Sequence, residues 1–140
     1  GDLIETPFME VSEEKTELVT FVSPDKDERF DEPKATISIF TQRFDHPLWI
    51  EDTTQEIAQW VIQQGYSIMG EGKIKYQGEV GYSVNYRKDF SDKVYLDFYF
   101  TSPGRVYMVI RCITNEKDFS SYIPDFETFR KTVEFRFSLF

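Results

Sequence analysis

The stretch Lys93–Thr114 reads "KVYLDFYFTSPGRVYMVIRCIT". Val94, Leu96, Phe98 and Phe100 alternate with Tyr95, Asp97 and Tyr99, the period-two pattern of a strand. Ser102–Gly104 then forms a turn, because proline presets φ at one position and glycine accepts a positive φ at the next. Val106, Met108, Ile110 and Cys112 share one face of the following strand. A hairpin is the direct consequence, and strands joined by so short a turn are antiparallel. Both faces of the pair are rich in apolar residues, so this sheet is expected to be covered on both sides.

The pattern extends in both directions. Upstream, "GYSVNYRK" (Gly81–Lys88) places Tyr82, Val84 and Tyr86 on one face. "SIMGEGKIKYQ" (Ser67–Gln77) is interrupted by glycines and reads as a bent or bulged strand. Before it, "DTTQEIAQWVIQQG" (Asp52–Gly65) changes period. Ile57, Trp60, Val61 and Gln64 fall on one helical face. Thr53 with Glu56 fits a capping box, and Gly65 suits the left-handed position that ends a helix.

Earlier still, "KATISIFTQRF" (Lys34–Phe44) alternates Ala35, Ile37 and Ile39 with Thr36 and Ser38 as a half-buried strand. Pro24–Pro33 is a charged, proline-bracketed surface loop. "LVTFVS" (Leu18–Ser23) and "PFMEVS" (Pro7–Ser12) read as strands, with Ser12–Glu17 a polar connector between them. Downstream of the hairpin, Phe119, Tyr122, Ile123, Phe126, Phe129 and Val133 recur at helical steps. Arg130 and Lys131 lie late in that segment, where the helix dipole favours cations, and Pro124 is expected in the first turn. Phe135, Phe137 and Leu139 then alternate as a short extended tail. The chain is expected to be one α+β domain over residues 1–140. Its architecture is a mostly antiparallel, twisted sheet of about six or seven strands covered by helices, an α/β/α sandwich.

Composition bounds the function. The 140 residues carry 25 Asp and Glu against 16 Lys and Arg, a net charge of −9. A binder of nucleic acid needs cations to displace counterions from phosphates, so nucleic acid is excluded as a partner. A basic protein partner remains compatible. No apolar run is long enough to span a bilayer as a helix. The chain opens on Gly1 rather than Met, which reads either as a tag remnant or as the scar of a removed leader; the second reading allows an N-terminal lipid tether.

Candidate chemistry is sparse. His46 is the single histidine and Cys112 the single cysteine. His46 precedes proline in an extended loop, and Cys112 lies within an apolar strand, where it packs as a small hydrophobe. No serine sits in a nucleophile elbow, and "GEGKIKYQG" matches neither a P-loop nor a dinucleotide fingerprint. No enzyme and no cofactor are expected.

The acidic loop offers Asp25, Asp27 and Asp31 as candidate cation ligands, although Arg29 and Phe30 stand where a calcium loop would carry an oxygen ligand and glycine. Phe30 and Glu32 in that loop, and Leu48 and Trp49 in "HPLWIED" (His46–Asp52), are candidate contacts for a protein partner. The alternative reading is a small-ligand or divalent-cation domain. Its concave sheet face would use Tyr76, Tyr82, Tyr86, Tyr95 and Tyr99.

The element order resembles the PsbP-like superfamily over roughly Leu18–Ser138. That group includes an extrinsic photosystem II protein, a Ran-binding nuclear import factor, bacterial lipoproteins and secretion-associated adaptors. The pieces that carry the likeness are "FVSP" (21–24), "ATISIF" (35–40), "TQEIAQWVIQQ" (54–64), "GYSVNY" (81–86), "RVYMVIRCI" (105–113) and "FRKTVEFRFSL" (129–139). One departure is that "TPFMEVSEEKTELV" (6–19) lacks the tryptophan that members often carry near the start. No metal- or Ran-binding residue can be matched position by position, so none is carried over. The resemblance implies a non-catalytic accessory or adaptor domain in an extracytoplasmic bacterial setting, the periplasm or cell surface.

Overall fold

A computed structural model describes residues 14–22, 26–27, 32–43, 50–76, 79–101 and 106–132. Six strands form one antiparallel sheet: β1 (Glu14–Val22), β4 (Ala35–Arg43), β5 (Tyr66–Tyr76), β6 (Glu79–Lys88), β7 (Lys93–Thr101) and β8 (Val106–Asn115). Their spatial order is β1-β4-β8-β7-β6-β5. Two further strands, β2 (Lys26–Asp27) and β3 (Glu32–Pro33), pair only with each other. The helices are α1 (Ile50–Gln63) and α2 (Phe119–Thr132).

The period-two pattern of β7 and β8 sets the layers. Tyr99 lies opposite Val109 and Asp97 opposite Arg111, while Phe98 lies opposite Ile110 and Leu96 opposite Cys112. The first set faces α1 and the second faces α2. Ile57 and Val61 of α1 pack on Tyr82, Val84, Tyr86, Tyr99 and Val109. Phe126 of α2 packs with Ala35, Ile39, Leu96, Phe98, Phe100, Met108, Ile110 and Cys112. Helices therefore cover both faces, the α/β/α arrangement that the apolar character of both strand faces requires.

Two glycines show why their positions cannot carry side chains. Gly65 ends α1 at φ +90°, with its N–H donated to the Ile62 carbonyl at 3.0 Å. A Cβ at Gly81 would stand 2.5 Å from the Phe100 ring and 2.8 Å from the Tyr99 carbonyl oxygen. The bend expected in β5 is a bulge between Ile68 and Gly70.

Several local expectations are corrected. β1 begins at Glu14, inside the expected polar connector, because it pairs with β4 from Glu14–Arg43 onward. The Pro24–Pro33 loop contains the β2–β3 pair, in which Asp27 registers opposite Glu32. Thr53 does not cap α1: the helix starts at Ile50, and Thr53 is buried within its first turns. Helix α2 starts at Phe119 rather than near Pro124. The Asp118 carbonyl accepts the N–H groups of Ser121 and Tyr122, and the Asn115 side-chain oxygen accepts that of Asp118. That anchored turn carries the helix past Pro124, where the missing N–H falls near the exposed Ser120. The expected strand Pro7–Ser12, the turn Ser102–Gly104 and the tail after Val133 lie outside the described residues.

Candidate functional site

Two buried charges, Asp97 and Arg111, sit on the α1 face. Asp97, 0% exposed, is fully enclosed. Its Oδ1 accepts Arg111 Nε at 3.0 Å, and its Oδ2 accepts Arg111 Nη2 at 3.0 Å. Oδ2 also accepts the hydroxyls of Tyr86 at 2.8 Å and Tyr99 at 2.6 Å. The carboxylate thus ties together β6, β7 and β8. Above it the Arg111 guanidinium lies 6.0 Å from the Trp60 ring of α1. Around it, Tyr86 stacks on Tyr95 with centroids 5.0 Å apart, and Tyr66 meets both edge-on.

The electrostatics follow from enclosure. Burial opposes the Arg111 charge, but the Asp97 carboxylate and the Tyr86 and Tyr99 hydroxyls outweigh it and hold the guanidinium well above its ordinary range. Burial, then the Asp97 charge, pushes the Tyr86 hydroxyl well up. The Tyr82 hydroxyl is also raised, by burial and by its hydrogen bond to Glu71. Such shifts often mark catalytic groups. Here the carboxylate accepts four hydrogen bonds and is sealed from solvent, and the bonds tie three strands to one another. Cys112 is buried as expected, and burial, with the Asp97 and Glu127 charges, pushes its thiol well up. A thiol in that setting is inert.

The tyrosines of the alternative reading are accordingly interior residues. Tyr82, Tyr86 and Tyr99 are buried beneath α1, and Tyr95 is half-buried. They do not line an open concave face. Tyr76 ends β5, and its side chain is not described. Of the other candidates, Asp27 and Glu32 lie in the β2–β3 pair with side chains undescribed, whereas Asp25, Phe30, Asp31, His46, Leu48 and Trp49 lie outside the described residues. Among the described residues no group of three His, Cys, Asp or Glu could hold a metal ion, and no helix is long and apolar enough to cross a membrane.

The β6–β7 turn carries a different kind of feature. Ser91 donates its N–H to the Lys88 carbonyl at 3.1 Å, closing a turn whose third residue is Phe90 at φ 63°. That position ordinarily holds Gly or Asn, since a Cβ is strained at positive φ. Phe90 is nonetheless aromatic and fully exposed. The turn stands on a firm base: Ser91 Oγ accepts the Lys93 N–H at 3.2 Å, and the Asp92 carbonyl accepts the Glu116 N–H at 2.6 Å. Arg87 pairs with Glu116. Lys88 opposes Tyr66 in register and places its Nζ 5.2 Å from that ring. The end of α1, the start of β5, the β6–β7 turn and the β8–α2 turn therefore meet at one end of the sheet. Ile62 on the last turn of α1 and Met69 at the β5 bulge are also exposed. These two and Phe90 are the exposed large hydrophobics of the described residues. The sequence reading did not single out "KDFSDK" (Lys88–Lys93); its signal is a lone aromatic inside an otherwise polar turn.

No family model matches the chain, and no curated protein matches it. Among solved structures it is similar to PA94 of Pseudomonas aeruginosa, a protein of unknown function described as a putative regulator. The TM-score is 0.58 at 13% identity, covering 92% of this chain and 89% of that one. It is also similar to LpqN of Mycobacterium tuberculosis, described as involved in cell envelope biogenesis. There the TM-score is 0.54 at 9% identity, covering 86% of this chain and 88% of that one. At these identities the likeness is one of fold.

Proposed function

We propose that the chain is a non-catalytic accessory domain that binds a protein partner through the end of the sheet carrying Phe90, in the extracytoplasmic space of a bacterium. The observation that carries the reading is the exposed phenylalanine held at φ 63°. Backbone strain persists only where something else is gained, and such outliers gather at binding sites and switches. An exposed aromatic anchor is the chemistry of an interface hot spot. The net charge of −9 favours a basic partner, through faster encounter more than through affinity.

The setting is supported by the LpqN likeness and by the PsbP-like resemblance of the element order. The saturated Asp97 and the enclosed Cys112 support a binding role over a catalytic one. The test is quantitative affinity capture from the native cell, comparing the wild type with Phe90→Asn, whose side chain tolerates positive φ. A specific protein captured by the wild type and lost from the variant is the expected result. Identical capture profiles from the two baits would overturn the proposal.

A further inference from the structure

Among the described residues β5 ends the sheet, with β6 on one side and no strand on the other. It runs 11 residues, and most of its middle is exposed: Met69, Gly70, Glu71, Lys73 and Lys75 all face water. Open edges are ordinarily blunted by charge or by a bulge. The bulge between Ile68 and Gly70 does blunt the start of this strand. Beyond it the residues have a symmetry of their own about Gly72.

Lys73 opposes Tyr82 and Glu71 opposes Val84, so both belong to the α1 face. Gly70, Gly72 and Ile74 belong to the other face, where Ile74 packs on the α2-side core. A Cβ placed on Gly70 or Gly72 would meet nothing within 4 Å. If a second β5 is laid antiparallel with a two-fold axis at Gly72, residues equidistant from the axis come opposite one another. Glu71 then faces Lys73 of the second copy, twice by symmetry. Ile74 faces Gly70 of the second copy, also twice, and its side chain enters the space that the glycine leaves open. Moving the axis one residue, to Glu71 or to Lys73, sets like charges face to face at the centre. Cross-strand pairs of opposite charge stabilise a sheet, and like charges directly opposite destabilise it. A bulky residue across from an edge glycine has the same effect as the first.

We infer that β5 is a self-recognition edge: two copies of this chain pair antiparallel through Gly70–Ile74 about a two-fold axis at Gly72, joining their sheets into one. The contact is isologous, as a two-fold interface must be. It is small, so the dimer forms with a Kd on the order of micromolar, at the weak end of specific association. This inference is independent of the partner surface at Phe90.

Sedimentation velocity over a concentration series tests it. The wild type is expected to pass from monomer to dimer, whereas Lys73→Glu alone and Glu71→Lys alone stay monomeric. In an equimolar mixture of those two variants every Glu71–Lys73 position is again an opposite pair, so the mixture is expected to dimerise. A wild type that stays monomeric throughout, or single variants that dimerise as the wild type does, overturn the inference. Glu71→Lys also removes the hydrogen bond from Tyr82. Should that variant fail to fold, Gly72→Cys keeps the test. Its thiols meet across the axis and should oxidise to a covalent dimer, while Lys75→Cys, opposite Met69, should not. Equal rates of cross-linking at the two positions would count against the axis.

Discussion

The two faces of one sheet are built from alternate residues of the same strands, yet they are held by different physics. On the α1 face, β7 and β8 contribute Asp97 and Arg111, enclosed by tyrosines and tied by directional hydrogen bonds. On the α2 face the same strands contribute Leu96, Phe98, Phe100, Met108, Ile110 and Cys112, which close on Phe126 as hydrocarbon. The α2 face has little directional content. It includes Arg130, whose guanidinium lies 5.4 Å from the Phe98 ring and bonds Glu127, with Nη1 buried and unpartnered. Asn85 Oδ1 is likewise buried without a partner. The α2 face supplies volume and the α1 face supplies register, because a bidentate ion pair is satisfied in one alignment of the strands only.

The largest effects separate the two mechanisms. Asp97→Ala should cost about 3–5 kcal/mol, since it leaves the Arg111 charge buried and unpaired. Adding Arg111→Met should return most of that loss, because the second substitution removes the orphaned charge. Phe98→Ala should cost a similar amount, about 3–5 kcal/mol, through a cavity. No substitution of Ile110 opposite it should rescue it except a larger apolar residue. Urea titrations of the single and double variants read the coupling directly. Additive losses at Asp97 and Arg111 would mean that the ion pair does not act as a unit.

A second contrast appears at alkaline pH. Tyr86 and Cys112 both titrate later in the folded protein than in the unfolded chain, whose ordinary values are 10.0 and 9.0. A raised folded-state pKa gives stability that is complete below the unfolded value and is lost as pH rises above it. Stability should therefore begin to fall above the thiol's ordinary value and fall faster above the phenol's. Each fully linked group contributes about 1.4 kcal/mol per pH unit. Urea midpoints taken from about pH 8 to about pH 11 should decline. Cys112→Ala should remove the earlier part of the decline, and Tyr86→Phe combined with Tyr82→Phe the later part, since both hydroxyls are raised. A wild-type profile that stays flat would contradict the enclosure of both groups.

A smaller effect is expected at Arg130. Arg130→Met removes an unpartnered buried Nη1 and leaves Glu127 with access to water, so stability should change by no more than about 1 kcal/mol. A loss comparable to that of Asp97→Ala would show that the α2 face depends on this cation after all.

Much of this layout was legible in the sequence. The alternation in Val94–Phe100 and Val106–Cys112 named both faces, and the apolar character of each face foretold two helical layers. The helical faces of Ile57–Val61 and Phe119–Phe129 followed from spacing alone. What failed was local. Thr53 and Glu56 have the residue types of a capping box, but α1 begins three residues earlier, at Ile50. Ser12–Glu17 is polar, yet pairing with β4 makes most of it strand. The Asp97–Arg111 pair was missed although a signal existed: Asp97 is the single acidic residue of its strand and Arg111 the single charged residue of its own, on neighbouring strands of a hairpin. Phe90 left no periodic trace, since a turn is defined by φ and not by hydropathy. The acidic loop and Trp49, favoured from composition, lie largely outside the described residues and keep only their sequence-based standing.

Phe90 tests the central claim, that strain at the β6–β7 turn is retained for binding while the buried network serves the fold. The measurement is the thermal unfolding midpoint of Phe90→Gly against the wild type. Glycine adopts φ 63° without a Cβ penalty, and the fully exposed ring contributes no packing. The account predicts a midpoint raised by a few degrees. A lowered midpoint would show that Phe90 is part of the fold, and the proposed anchor would lose its physical basis.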